Sequence, residues 1–252
     1  MLGDVLLGRA EHAGQGMGDR SPVGHIDDGT AMELCASRGL RSEAVSSDRA
    51  DDWFEALYAS VGDDWERVPW AQLAPRPGLV RWLDRHPPRP GTRALVVACG
   101  LGDDAEELAR RGCAVEAFDL SPTAIAAAQR RFPESAVGYR VADLFALPEE
   151  WRRRFDVVVE VQTIQSLAPE FHGAAIDVIA ELTAPDGHVL VRAAVRGEAE
   201  PAESRPWPLK DSELRWFEAA GLREVSRCSD DAVVEIDYHR RRGPAAVRSS
   251  HG

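Results

Sequence analysis

The chain reads as a three-layer α/β/α sandwich with a mostly parallel seven-stranded sheet and an antiparallel C-terminal hairpin, and three observations point there. Short apolar runs alternate with helix-length amphipathic segments from residue 94 to residue 194, the pattern of crossover-linked parallel strands. The first run, Ala94-Leu95-Val96-Val97, breaks at Gly100-Leu101-Gly102 and passes straight into a helical pattern. Near the C-terminus only Ser229-Asp230-Asp231 separates two strand-like stretches, a spacing that makes them a hairpin.

Taken in order, residues 1–50 carry Gly, Ser, Asp and Arg without sustained periodicity and read as a flexible N-terminal extension. Residues 51–90 read as a helical cap or lid. Trp53, Phe54, Leu57, Tyr58 and Val61 fall at helical spacing behind Asp51 and Asp52, which suit a helix N-terminus. Pro69, Pro75 and Pro77 make the stretch from Trp65 to Pro77 a loop. Helical spacing resumes from Gly78 to His86. The core spans 91–240: strands at 114–119, 137–142, 155–160, 187–194, 221–228 and 232–238 follow the first, with helices at 103–109, 121–131, 173–182 and 210–219. Residues 241–252 form a flexible tail.

Composition narrows the function. A net charge of −12 leaves no basic footprint for nucleic-acid phosphates, and Arg240-Arg241-Arg242 reads as a solvated run. Cys35, Cys99, Cys113 and Cys228 are scattered, without disulfide or zinc spacing, which fits a reducing, cytoplasmic setting. No apolar run approaches the roughly 20 residues of a membrane helix.

The two glycines let a ligand approach the unpaired N–H groups of a helix start. Gly100-Leu101-Gly102-Asp103-Asp104-Ala105 satisfies the dinucleotide pattern, with Asp119 at the end of the next strand placed for a ribose. Asp103 and Asp104 would repel a diphosphate there, which disfavours an NAD(P)-dependent oxidoreductase. S-adenosylmethionine (SAM) brings an ammonium group, a carboxylate and a ribose but no phosphate. Asp143, after the third strand, is placed to accept from an adenine amino group, and Leu120, Leu144 and Phe145 supply apolar surface for the ring.

This order of Gly-x-Gly, two successive strand-end aspartates and a closing hairpin resembles the class I SAM-dependent methyltransferases over roughly residues 52–238. In its details, Cys99-Gly100-Leu101-Gly102-Asp103-Asp104, Phe118-Asp119-Leu120-Ser121-Pro122 and Pro206-Trp207-Pro208-Leu209, the sequence looks closest to the thiopurine S-methyltransferase-like, small-molecule branch. The resemblance implies cofactor binding by Cys99, Gly100, Gly102, Asp104, Asp119, Leu120, Asp143, Leu144 and Val161, and transfer to a small-molecule acceptor through S or O. Val96 and Ala98 depart from the family's first motif, which carries an acid and a glycine there; Asp103 or Asp104 is the expected compensation for the missing acid. Those departures also motivate a second expectation, a SAM-fold protein that binds without turning over.

Acceptor contacts are expected after the fourth strand, in Glu160-Val161-Gln162-Thr163-Ile164-Gln165-Ser166-Leu167. This stretch lacks the Asn/Asp-Pro-Pro-Tyr/Phe signature of base amino-methyltransferases. Glu160 and Gln165 are the substrate-contact candidates there, with a backbone-holding role for Glu160 equally compatible with its position. His172 is a candidate base, and Trp65, Trp70 and Trp207 are candidates for an apolar wall.

Overall fold

A computed structural model describes residues 50–201, 205–230 and 232–242, all within one compact unit; the N-terminal extension and most of the C-terminal tail lie outside the described residues. Helix α1 (Ala50–Val61) and a 3-10 turn (Trp65–Arg67) lead into α2 (Pro77–Arg85). The alternation then begins: β1 (Arg93–Val97), α3 (Asp103–Arg110), β2 (Ala114–Asp119), α4 (Pro122–Arg131), β3 (Gly138–Val141), β4 (Phe155–Val161), α5 (Pro169–Leu182) and β5 (Thr183–Arg196). A two-residue strand, β6 (Leu209–Lys210), and two short helices, α6 (Asp211–Leu214) and α7 (Trp216–Ala219), precede the hairpin of β7 (Leu222–Asp230) and β8 (Val233–Arg240).

The sheet runs β3-β2-β1-β4-β5-β8-β7, parallel as far as β5, with β8 antiparallel to both β5 and β7. This is the expected seven-stranded path, and β6 adds an eighth strand on the continuation of β5, pairing Val195 with Leu209. Reversal of the chain order on either side of β1 places a switch point between β1 and β4, where α/β sheets bind ligands beyond the strand C-termini.

Two apolar clusters fill the layers. Val158, Val189 and Tyr238 meet Ile176 and Ile179 of α5 and Phe217 of α7 on one face. On the other, Val96, Val115 and Val159 meet Leu108 of α3 and Leu79, Trp82 and Leu83 of α2. Burying one such side chain contributes roughly 1.5–3 kcal/mol. Helix α2 is thus a layer of the core, so the 51–90 segment does not stand apart from it as one cap.

Boundaries differ in four places. Helix α5 starts at Pro169 rather than Gly173, because proline suits the first helical turn, where its missing N–H costs nothing. The expected helix 210–219 divides at Arg215 into two single turns, with Lys210 drawn into β6. Strand β5 extends back to Thr183 through an irregular register beside Phe155. Both hairpin strands run further than expected, to Asp230 and to Arg240.

Candidate active site

The glycine turn forms because β1 ends where Ala98, Gly100 and Gly102 adopt positive φ of 47°, 53° and 90°. Gly102 caps α3, and a Cβ there would strike the Tyr139 hydroxyl, which donates to Glu106 at 2.7 Å. A Cβ on Gly100 would lie 3.0 Å from the Tyr58 hydroxyl. Ala98 occupies the left-handed region with a side chain, at a cost of roughly 1–2 kcal/mol that a glycine would not meet.

Asp119, at the end of β2, ties this turn to the next. Its Oδ2 accepts from the Gly100 N–H at 2.9 Å and its Oδ1 from the Ser121 N–H at 2.9 Å. It is 7% exposed, and burial pushes its carboxyl above the usual range. Ser121 caps α4 as its sequence position suggests, accepting from the Ala124 N–H at 2.9 Å. One strand further, Asp143 caps a 3-10 turn (Leu144–Ala146), accepting from the Phe145 N–H at 2.8 Å. Around these aspartates Leu120 and Phe145 remain 37% and 45% exposed, and Phe145 faces Phe171 at 6.2 Å. Leu144 itself is buried.

Helix α1 and the loop after it close over the turn. Tyr58 accepts from Trp70 Nε1 at 2.9 Å, and burial raises its phenol well above its normal range. Glu55 accepts from Ser121 Oγ at 2.5 Å and from the N–H and hydroxyl of Thr123. Burial pushes the Glu55 carboxyl up, but those hydrogen bonds outweigh it and hold it below its ordinary value. Asp104 accepts from the Arg76 N–H at 2.7 Å, and the Arg76 guanidinium donates to the Trp70 carbonyl at 2.7 Å. Between this lid and the glycine turn lies a cleft of about 80 Å³, bordered also by Val96, Cys99 and Val161.

The two turn aspartates are committed. Asp103 forms a two-point pair with Arg131, at 2.8 Å for each contact, and Asp104 holds the lid while burial raises its carboxyl. Both border the cleft, Asp103 with its carboxylate held by Arg131 and Asp104 with its carboxylate on the Arg76 N–H. The Cys99 N–H donates to the Phe118 carbonyl at 2.8 Å, and burial drives its thiol far up.

Beyond β4 the candidates do structural work. Glu160 is 0% exposed and accepts from the Thr163 and Ile164 N–H groups at 2.6 and 3.1 Å; burial pushes its carboxyl up to about 7. Gln165 accepts from the Ala194 N–H at 2.6 Å and, through its carbonyl, from the Trp207 N–H at 2.7 Å, pinning the 205–208 loop to β5. His172 lies in α5, fully buried, with Nδ1 2.8 Å from Glu213 and Nε2 donating to the Leu167 carbonyl at 3.0 Å. With both ring nitrogens engaged, His172 is not available as a base. Of the tryptophans, Trp65 packs under Arg130, while Trp53, Phe54 and Trp207 surround the Arg205 guanidinium at 5.0–5.5 Å. Trp70 joins Trp53 and Phe54 at 5.8 and 5.5 Å.

Sequence reasoning missed Glu55 and Arg76 and saw Tyr58 only as a helix-face residue, since their partners lie 66, 28 and 12 positions away. Gln162, at φ 60° beside Val161, was overlooked as well; its N–H donates to the Arg192 carbonyl at 2.7 Å.

Residues 94–187 match the family model of a methyltransferase domain. The ubiquinone biosynthesis O-methyltransferase of Azotobacter vinelandii is 35% identical over 115 residues, 44% of this chain and 49% of that enzyme. This core resembles the class I SAM-dependent methyltransferases. SAM is the cofactor of such domains, and the chain spans about half the length of the curated relatives it matches. Magnesium protoporphyrin IX methyltransferase from Synechocystis, solved with SAM bound, superposes with a TM-score of 0.61 at 18% identity, covering 79% of this chain and all of that one. The same methyltransferase fold carries the [4+2]-cyclase SpnF, with a TM-score of 0.56 at 17% identity, 66% of this chain and 80% of that one.

Proposed function

We propose that the chain transfers a methyl group from SAM to a small-molecule acceptor through oxygen or sulfur. The observation that carries this reading is the chain of contacts across adjacent strand ends: the Gly100 N–H on Asp119 after β1 and β2, and Asp143 after β3 beside exposed Leu120 and Phe145. These residues fit the group's chemistry, with a two-glycine turn for the methionine end, a carboxylate for the ribose and an acceptor with apolar surface for the adenine. In this reading Cys99, Gly100, Gly102 and Asp104 face the methionine end, Asp119 and Leu120 the ribose, Asp143 and Leu144 the adenine, and Val161 the methyl side. A ligand of that size needs a pocket of several hundred Å³. The cleft of about 80 Å³ therefore has to widen, and the bonds that α1 and the lid make, Tyr58 with Trp70 and Asp104 with Arg76, are the ones that yield.

When bound, SAM supplies an activated methyl on a sulfonium with a neutral leaving group, so the protein's task is alignment and exclusion of water. Glu160, Gln165 and His172 present no base to the cleft, which suits an acceptor that ionises by itself. A thiol near pKa ~8.5 does so, and a phenol near ~10 does so in part. The named relatives act on oxygen, which favours the phenol. Incubating the purified chain with methyl-labelled SAM and a cell extract should label a small molecule. A second reading, binding without methyl transfer, draws on Val96 and on strained Ala98, and on the SpnF fold match. Saturable S-adenosylhomocysteine binding with no labelled product across acceptor panels would favour it.

A further inference from the structure

A second and larger cavity, about 180 Å³, lies outside the cofactor cleft, between α2 and the antiparallel end of the sheet. Its floor is apolar, from Leu79, Trp82, Val159 and Leu190, while Arg81, Arg85, Arg192 and Arg227 stand around it. Arg76 and Val161 border both cavities.

Arg227 is paired with Glu224 and Asp211, yet the remaining charges are still unbalanced for a chain of net −12. Of the carboxylates on the wall, Asp237 is spent on Trp82 Nε1 at 2.9 Å and His188 Nδ1 at 2.7 Å, and Glu160 on the N–H groups of Thr163 and Ile164. That leaves Glu235, which pairs with Arg81 at 2.8 Å and lies 3.7 Å from Arg192. Glu235 also packs against Gly78 in the first turn of α2, where a Cβ would strike its carboxylate. The groove thus already holds one carboxylate on two guanidiniums at a helix start, an arrangement of charge-assisted bonds. Arg85 directs only its Nε inward along its own helix, to the Arg81 carbonyl at 3.2 Å. Burial lowers the Arg76 guanidinium most, and the nearby Arg192 charge lowers it further, a repulsion that an anion between them would relieve.

We infer that this groove is a binding site for a small organic acid, its apolar body on the Leu79–Trp82–Leu190 floor and its carboxylate on Arg192 and Arg85. An apolar floor under a cationic rim selects an organic acid over an inorganic anion of equal charge. The acid is a free effector or the anionic part of the methyl acceptor; only that last distinction rests on the proposed methyl transfer.

Benzoate is the probe, titrated calorimetrically into the full chain with and without S-adenosylhomocysteine. Saturable binding is expected, weakened at least tenfold in Arg192→Gln and at least threefold in Arg85→Gln, whose residue is exposed. Glu235→Gln, which removes the resident carboxylate, should tighten benzoate at least threefold. Folding damage would weaken binding in every variant, so opposite signs for Arg192→Gln and Glu235→Gln identify the site. Absence of benzoate binding, equal changes in both variants, or inorganic phosphate binding as well as benzoate would overturn the inference. In a labelled-methyl assay, benzoate competing with the acceptor marks the groove as the acceptor's own, and a rate change without competition marks an effector. Cofactor binding is read separately by the S-adenosylhomocysteine titration, so failure of either proposal is seen by itself.

Discussion

Two strand ends in this molecule each carry a buried carboxyl, and they do different things. Asp119, after β2, reaches sideways to the Gly100 N–H of the neighbouring turn, and the lid closes over the same place. Glu160, after β4, turns back on its own chain and accepts from Thr163 and Ile164, three and four residues on. Burial raises both. A raised pKa at a strand end is therefore no sign of a catalytic acid by itself; what the carboxyl holds decides its role.

That contrast can be broken experimentally. The largest effect is expected from His172→Ala, which leaves Glu213 without its buried partner: a loss of about 3 kcal/mol in urea unfolding, with S-adenosylhomocysteine affinity unchanged within threefold in the folded fraction. A rate loss without a stability loss would restore His172 as a catalytic group.

Glu160 comes next. Its folded value of about 7 lies above the ordinary 4.5, so its contribution to stability is full below 4.5 and is lost as pH rises through 7. At about 1.4 kcal/mol per unit the loss approaches ~3 kcal/mol above pH 7. Glu160→Gln, whose carbonyl still accepts from Thr163 and Ile164, should flatten this slope in chemical denaturation across pH 4–8. An unchanged slope would mean that another group titrates.

Gly102→Ala should cost about 2 kcal/mol, from the positive φ and the contact with Tyr139, and weaken S-adenosylhomocysteine binding at least tenfold. Ala98→Gly should do the reverse on a smaller scale, gaining about 0.5–1 kcal/mol in thermal unfolding because the strained φ of 47° is relieved. A loss there would show that the methyl group packs usefully against the cleft.

The sheet was legible because its signals are local. Four-residue apolar runs, glycines at the β1–α3 turn and Ser121 before Pro122 each fix structure within a few residues. Asp119 and Asp143 were legible for the same reason, since strand ends and helix starts define them. What the sequence hid was pairing over distance: His172 with Glu213, 41 positions away, Gln165 with Ala194, 29 away, and Asp104 with Arg76, 28 away. Each residue type fits catalysis as well as bracing, and only the partner separates the two. Lys210 failed differently, because a two-residue pairing with Arg196 leaves no periodic trace.

The comparison of the two strand ends is tested most directly by S-adenosylhomocysteine calorimetry on the wild type, Asp119→Asn and Glu160→Gln. Saturable binding is expected in the wild type, at least a hundredfold weaker in Asp119→Asn and within threefold of wild type in Glu160→Gln. No binding to the wild type, or an Asp119→Asn variant that binds as well as Glu160→Gln, would contradict the account.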